Sequence, residues 1–200
     1  SELLTTITFS GNIENDFSLI LKSHGLTDVE EHSRKVANEA KRIAQKFHEN
    51  ENNALIAGWL HDVSNIIPNE SRINICEELK IDVLKEEYEY PFLLHPKLSK
   101  AIAAKLFNVT DTETLDAIEC HTTLKPHATN MDMIVFIADK LVWESRYNIA
   151  FKEKILIGLE KSLEHAAHAY LKYVFDNKKE LKVVHPWAES AFQFLEATLK

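Results

Sequence analysis

Gly58-Trp59-Leu60-His61-Asp62 closes a run in which Ala54, Leu55, Ala57 and Leu60 recur at helical spacing. The apolar stretch predicts a helix from Asn52 or Asn53 to about Val63, and it ends in an adjacent histidine and aspartate. Neighbouring helical residues point about 100° apart. His61 and Asp62 therefore serve one metal only at a helix flank or end, with other helices closing the site. Four residues elsewhere qualify as partners: His32 upstream, and His95, His121 and Asp139 downstream.

Outward from that stretch, the apolar spacing is mostly three or four, and the 200 residues contain only four glycines and five prolines. An all-α fold is expected, as a single helical-bundle domain over 1–200. Predicted helices cover Ile13–Ser23, then a segment capped by Thr27 or Asp28, with His32 four residues before Val36 on its inward face. Ser71–Leu79 follows, and Pro91–Pro96 is a break. His95-Pro96 opens a helix ending near Asn108, since proline suits a first helical turn. Asp111 caps Thr112–Cys120, and His121 closes that helix. Met131 to about Tyr147 is strongly apolar and carries Asp139. One long helix is expected from Lys152 to Asp176, and a last one from Trp187 to Leu199 behind His185-Pro186.

The formal charge is −8, from 23 basic and 31 acidic residues, which disfavours an electrostatic partnership with nucleic acid. Cys76 and Cys120 form no disulfide framework and read as buried thiols of a reducing compartment. Ser1–Ser10 lacks the pattern of a signal peptide, and no run reaches the ~18 apolar residues of a membrane span. The expectation is a soluble cytoplasmic protein without membrane or nucleic-acid partners; a homodimer is admitted.

Imidazole and carboxylate donors together suit Fe, Mn, Zn or Co. His32, His61, Asp62, His95, His121 and Asp139 fall on five separate elements. Six protein ligands exceed what one open site needs, whereas two ions about 3.5–4 Å apart could share them, with Asp62 the natural bridge. Each residue has a plainer reading. His61-Asp62 could be an exposed helix end, His32 a satisfied core histidine, His95 a residue before a helix, and His121 a helix-end residue favoured by the dipole. Asp139 is different: it sits in Ile134-Val135-Phe136-Ile137-Ala138, where an unpaired carboxylate is costly to bury. Lys125 and Lys140 are phosphate candidates, against a solvated loop lysine for the first. His165 and His168 read as a solvated or interfacial face. Trp59, Trp143 and Trp187 read as core before base-stacking platforms, with Trp143 the best placed to stack on adenine.

The ordered set His32, His61-Asp62 and Asp139 resembles the HD-domain phosphohydrolase superfamily. His95, the segment His121-Thr122-Thr123 and Ile137-Ala138-Asp139-Lys140 narrow the resemblance to its YqeK-type group, symmetrical bis(5'-nucleosyl)-tetraphosphatases that split diadenosine tetraphosphate into two ADP. It covers about 28–146, an HD-type metal-binding core, with 147–200 as C-terminal helices packed on it; His185-Pro186 is a weaker echo. The resemblance implies a first ion on His32, His61, Asp62 and Asp139, and a second on Asp62, His95 and His121. It suggests iron, with Mn or Co able to substitute, and a water activated between the ions as nucleophile. His61 and Asp62 are the expected catalytic residues, and Thr122, Lys125, Lys140 and Arg146 the expected substrate contacts.

Two places depart from the group. Asn65 stands where a lysine is usual, and Leu141-Val142-Trp143-Glu144-Ser145-Arg146 replaces the usual Glu-Pro-x-Arg, with Arg146 one residue late. Loss of a cation weakens charge-assisted phosphate binding. The alternatives to a dinucleoside tetraphosphatase are therefore another HD-type nucleotidase or phosphodiesterase, and a non-catalytic sensor of nucleotide or metal.

Overall fold

The computed structural model describes residues 9–143 and 149–199 and contains no strand among them. Its α-helices are α1 (Ile13–Ser23), α2 (Thr27–Lys46), α3 (Glu51–Leu60), α4 (Arg72–Leu79), α5 (Lys85–Glu89), α6 (His95–Leu106), α7 (Thr112–Cys120), α8 (Asn130–Val142), α9 (Ile149–Leu159), α10 (Leu163–Asp176) and α11 (Pro186–Thr198).

α8 is the centre. Met131 to Ala138 are all buried, so this helix is covered on every side and not along one stripe. Its start is held by a reciprocal cap: Asp132 N–H donates to Thr129 Oγ1 at 3.2 Å, and Thr129 N–H to Asp132 Oδ2 at 2.8 Å. α2, α7 and α10 pack on it, α3 lies against α2 and α7, and α9 and α11 pack on α10. One large core joins these helices; a small one, Cys76, Leu94 and Leu98, lies between α4 and α6.

Gly58 sets how closely α2 and α3 approach. A Cβ there would stand 2.5 Å from Ala37 Cα and 2.8 Å from Ala37 N, both backbone atoms. The backbones can meet because each helix contributes its smallest surface at the crossing. That approach brings α2's His32 beside the end of α3.

Four expectations are corrected. The segment Lys152–Asp176 is two helices, because Ser162 accepts the His165 N–H at 3.3 Å and starts α10 afresh. The chain folds back there, and Gly158 lies against Ala166, where a Cβ would come within 2.6 Å of Cα. The cap position of α2 is Leu26, which has no side-chain acceptor, with Thr27 already helical. α3 ends at Leu60, and a 3₁₀ turn, Val63–Ile66, takes over after Asp62. α8 ends at Val142; the remainder of its expected span, with Arg146, falls outside the described residues.

Both cysteines are buried free thiols, and no helix among the described residues is long and apolar enough to cross a membrane.

Candidate metal centre

Five helix ends or faces deliver the six sequence-derived residues to one place. His32 comes from α2 and Asp139 from α8. His61 is the C-terminal cap residue of α3, Asp62 follows it, His95 is the first residue of α6, and His121 caps α7.

Three of the histidines are locked by the same local device. Each Nδ1 lies against the backbone carbonyl three residues earlier: His61 to Gly58 at 2.7 Å, His95 to Phe92 at 2.7 Å, and His121 to Ile118 at 2.8 Å. A carbonyl only accepts, so Nδ1 carries the hydrogen and Nε2 turns its lone pair to the centre. His61, His95 and His121 are almost wholly buried.

The donor atoms form two groups joined by Asp62. In the first, His32 Nε2 is 3.1 Å from Asp139 Oδ1 and 3.3 Å from His61 Nε2, which is 3.5 Å from Asp62 Oδ2. In the second, Asp62 Oδ1 is 3.4 Å from His95 Nε2 and 3.7 Å from His121 Nε2, and the two imidazole nitrogens are 3.0 Å apart. Asp62 thus gives one oxygen to each group. A divalent ion with donors about 2.1 Å away sets neighbouring donors about 3.0–3.4 Å apart, close to these separations. Two inward lone pairs 3.0 Å apart repel unless a cation or proton lies between them. The donor set fits divalent metal ions.

The electrostatics agree at four of the six residues; at His32 burial is outweighed by Asp139, which raises its pKa. Burial lowers the His121 pKa well below its ordinary value, and neighbouring His61 and His95 add to this. His95 is lowered chiefly by burial, against the pull of Asp62. Burial alone would raise Asp62, but His61, His95 and His121 outweigh it and hold the carboxyl below its usual range. For Asp139 burial is likewise overcome, by Lys140 and by the His32 hydrogen bond, which leave it well below the usual range. Neutral imidazoles and ionised carboxylates are the forms that ligate.

The centre floors a cavity of ≈ 620 Å³, whose wall includes Asn65, Phe92, Thr122, Lys140, Trp143 and Tyr170. Thr122 Oγ1 lies 3.1 Å from His95 Nε2. Lys140 is buried, and its Nζ donates to Asp139 Oδ2 at 2.6 Å and to His121 O at 3.1 Å. It therefore holds a ligand carboxylate as well as facing the cavity. Lys125 is directed elsewhere: its Nζ pairs with Asp116 at 3.1 Å and Asp132 at 3.2 Å, and it does not line the cavity. Trp143 is 49 % exposed at the cavity wall, whereas Trp59 is core and Trp187 lies beneath Lys97. His165 and His168 bond to Ser162 and Glu196, and neither belongs to a metal-type cluster found among the described residues. His185 caps α11.

Two contributors were not singled out from the sequence. Phe92 supplies the carbonyl that orients His95, and its ring stands 4.7 Å from the His95 ring. Arg72 lies behind Asn65 and donates to its Oδ1 at 3.1 Å. No residue-type signal marks either one: Phe92 acts through its backbone carbonyl, which any residue carries, and Arg72 reaches Asn65 only because the chain folds back between them.

Known proteins resemble this chain in sequence and fold. A family model described as HD domain matches residues 29–144. A Lactococcus lactis subsp. cremoris protein, named for its place in the pepC 5' region, is 43% identical over 146 residues, covering 73% of this chain and 74% of that protein. The symmetrical bis(5'-nucleosyl)-tetraphosphatase of Bacillus subtilis (strain 168) is 28% identical over 108 residues, 54% of this chain and 58% of its own length. A Mycoplasma genitalium protein named as a probable nicotinate-nucleotide adenylyltransferase/Ap4A hydrolase is 31% identical over 151 residues, and the match spans 41% of it. The fold matches a Clostridium acetobutylicum crystal structure described as a predicted HD superfamily hydrolase involved in NAD metabolism. The TM-score is 0.81 at 24% identity, over 92% of this chain and 97% of that one. With the family model spanning more than half of its length, and with the histidine–aspartate pair at the centre of the converging helices, the chain belongs to the HD-domain family of hydrolases.

Proposed function

We propose that the protein hydrolyses a phosphoanhydride of a nucleotide, with diadenosine tetraphosphate cleaved to two ADP as the foremost reaction, at a centre of two divalent ions. The observation that carries this reading is the division of Asp62, with Oδ2 toward His61 and Oδ1 toward His95 and His121. Iron is the first choice for the ions, with Mn or Co as substitutes. The relatives named as symmetrical tetraphosphatases support the substrate class.

Charge gives a second line of support. Asp28, Glu31, Asp62 and Asp139 line the cavity against Lys35 and Lys140. Such a wall repels a polyphosphate on its own and accepts one only with added positive charge. When bound, the ions would supply Lewis acidity that polarises a phosphoryl group and acidifies a water. The chain's own part is orientation. His61, His95 and His121 are held by backbone carbonyls, Asp139 by Lys140, and the apolar faces of Phe92 and Trp143 lie at the rim for the nucleoside ends.

The test is turnover of diadenosine tetraphosphate by the metal-analysed protein, with products resolved by chromatography. Two ADP per substrate, lost in Asp62→Ala and Asp139→Ala, is the expected result. ATP plus AMP, or free phosphate, would move the protein to another HD-type nucleotidase or phosphodiesterase. Full metal occupancy with no turnover across a nucleotide panel would sink the enzymatic reading and favour a sensor.

A further inference from the structure

Asn65 stands in the 3₁₀ turn after the HD pair, half-buried in the cavity wall, and its backbone N–H donates to Asp62 O at 3.0 Å. Its side chain is oriented from behind. Oδ1 accepts from Arg72 Nη2 at 3.1 Å. A guanidinium offers only donors, so the amide atom facing it must be the oxygen. The Nδ2 group is thereby turned away from Arg72, and among the described residues it donates to no protein acceptor.

Arg72 is itself unusual. It is 4 % exposed, and its other donors go to backbone carbonyls, Nη1 to Phe92 O at 3.1 Å and Nε to Ile67 O at 3.3 Å. It makes no ion pair among the described residues, and its guanidinium lies 5.8 Å from the Phe92 ring centroid. Burial lowers its pKa, and Asp62 is the carboxylate that most opposes this. A cation taken out of water is expensive unless something nearby is anionic. The hydrogen-bonded amide of Asn65 lies between this charge and the cavity.

We infer that Asn65 is a phosphate-oxygen subsite: Arg72 fixes and polarises its amide so that Nδ2 donates to a phosphoryl oxygen of the nucleotide beside Asp62. The inference rests on the reading of the cavity as a nucleotide site. Arg72 is a positioning residue that touches the ligand only through Asn65. The device differs from an exposed lysine, whose flexible head loses rotamer freedom when it binds. Here the donor is already held in place.

The experiment is calorimetric binding of ADP to the metal-loaded protein, with metal content and melting temperature measured on every variant. Asn65→Asp keeps an oxygen for Arg72 but replaces the cavity-facing donor by an anion. It should weaken ADP binding about tenfold to a hundredfold. Asn65→Ala should weaken it several-fold at unchanged metal content, and in turnover should raise KM more than it lowers kcat. Arg72→Met should weaken ADP binding alone and add little on top of Asn65→Ala, a non-additivity that a merely structural arginine would not show.

ADP affinity within twofold of wild type in both Asn65 variants, with metal and melting temperature intact, would overturn the inference. If Asn65→Asp loses metal or fold, Asn65→Ala decides by the same criterion. Failure of the wild type to bind ADP would also overturn it. Wild type that binds ADP in an Asn65-dependent way, yet turns over no dinucleoside polyphosphate, would fail the functional reading and leave the subsite standing.

Discussion

His95 and His121 point their Nε2 atoms at one another across 3.0 Å, while each Nδ1 is tied to a carbonyl three residues back, at 2.7 and 2.8 Å. With both hydrogens committed to Nδ1, the facing atoms are two lone pairs. An ion held there removes a repulsion as well as gaining two ligands. Chelation should therefore destabilise the protein. Saturation at 100 times Kd contributes about 2.7 kcal/mol, or roughly 5–10 °C for a chain of this size. Differential scanning calorimetry with and without chelator checks this. His121→Ala should reduce bound metal from two ions to one per chain, read by elemental analysis; loss of both or neither would contradict the two-group arrangement.

Lys140 and Asp139 form the second relationship with a measurable consequence. Lys140 Nζ is 2.6 Å from Asp139 Oδ2 in a buried setting. Lys140→Met leaves that carboxylate short of a partner, which costs about 3–5 kcal/mol when the site is stripped. Bound metal compensates the same carboxylate, so the loss should be smaller in the loaded protein. Urea unfolding of both forms gives the two values; equal losses would mean that Lys140 does not serve Asp139.

Glu87 predicts an acid dependence away from the metal centre. It is 1 % exposed; Lys97 Nζ donates to its Oε2 at 2.8 Å and Leu84 N–H at 2.7 Å. His185 Nδ1 accepts the Trp187 N–H, so Nε2 carries the hydrogen and faces Glu87 Oε1 at 3.3 Å. Burial alone would raise the Glu87 pKa, but the His185, Leu84 and Lys97 bonds outweigh it and hold it below 4.5. A depressed carboxyl contributes stability that is present above its unfolded pKa and lost as pH falls through the folded one. Glu87→Gln should cost about 3 kcal/mol at pH 7, and the gap from wild type should close below pH ~4.5. Chemical denaturation across pH 3–7 reads the gap; a constant difference would refute the assignment.

Gly58 predicts a packing failure with a chemical signature. A Cβ placed 2.5 Å from Ala37 Cα cannot be relieved by rotating a side chain. Gly58→Ala should push α3 from α2 and cost about 1–3 kcal/mol or more. Because Gly58 O also holds His61 Nδ1, and His61 Nε2 lies 3.3 Å from His32 Nε2, metal affinity should fall with it. A metal titration on the folded variant separates this from simple destabilisation.

Much of this was legible in the chain itself. The 3.6-residue period places α1, α4, α7 and α11 to within a residue or two, since local hydrogen bonding and one-sided burial leave a repeating mark. The short helix α5 left no such mark, and Ser162 was read through as helix because its capping role depends on the chain turning back. The six candidate ligands that the fold brings together were legible for another reason. A carboxylate inside the apolar run of α8 conflicts with the local pattern and marks itself; the histidines, each with a plain local reading, stood out only as a joint set of donor types.

What the chain alone determined is the helical class and which residues are candidate donors, because both follow from residue type and local spacing. Tertiary structure decided how the donors divide, with one oxygen of Asp62 to each histidine group, and where the lysines go. Lys140 turns to Asp139, and Lys125 turns to Asp116 and Asp132. It also decided the character of Asn65, which read alone is a cation lost and in the fold is an amide backed by buried Arg72. Charge and hydrogen-bond partners are fixed by distance through space, and a linear sequence carries that distance only within a helical turn.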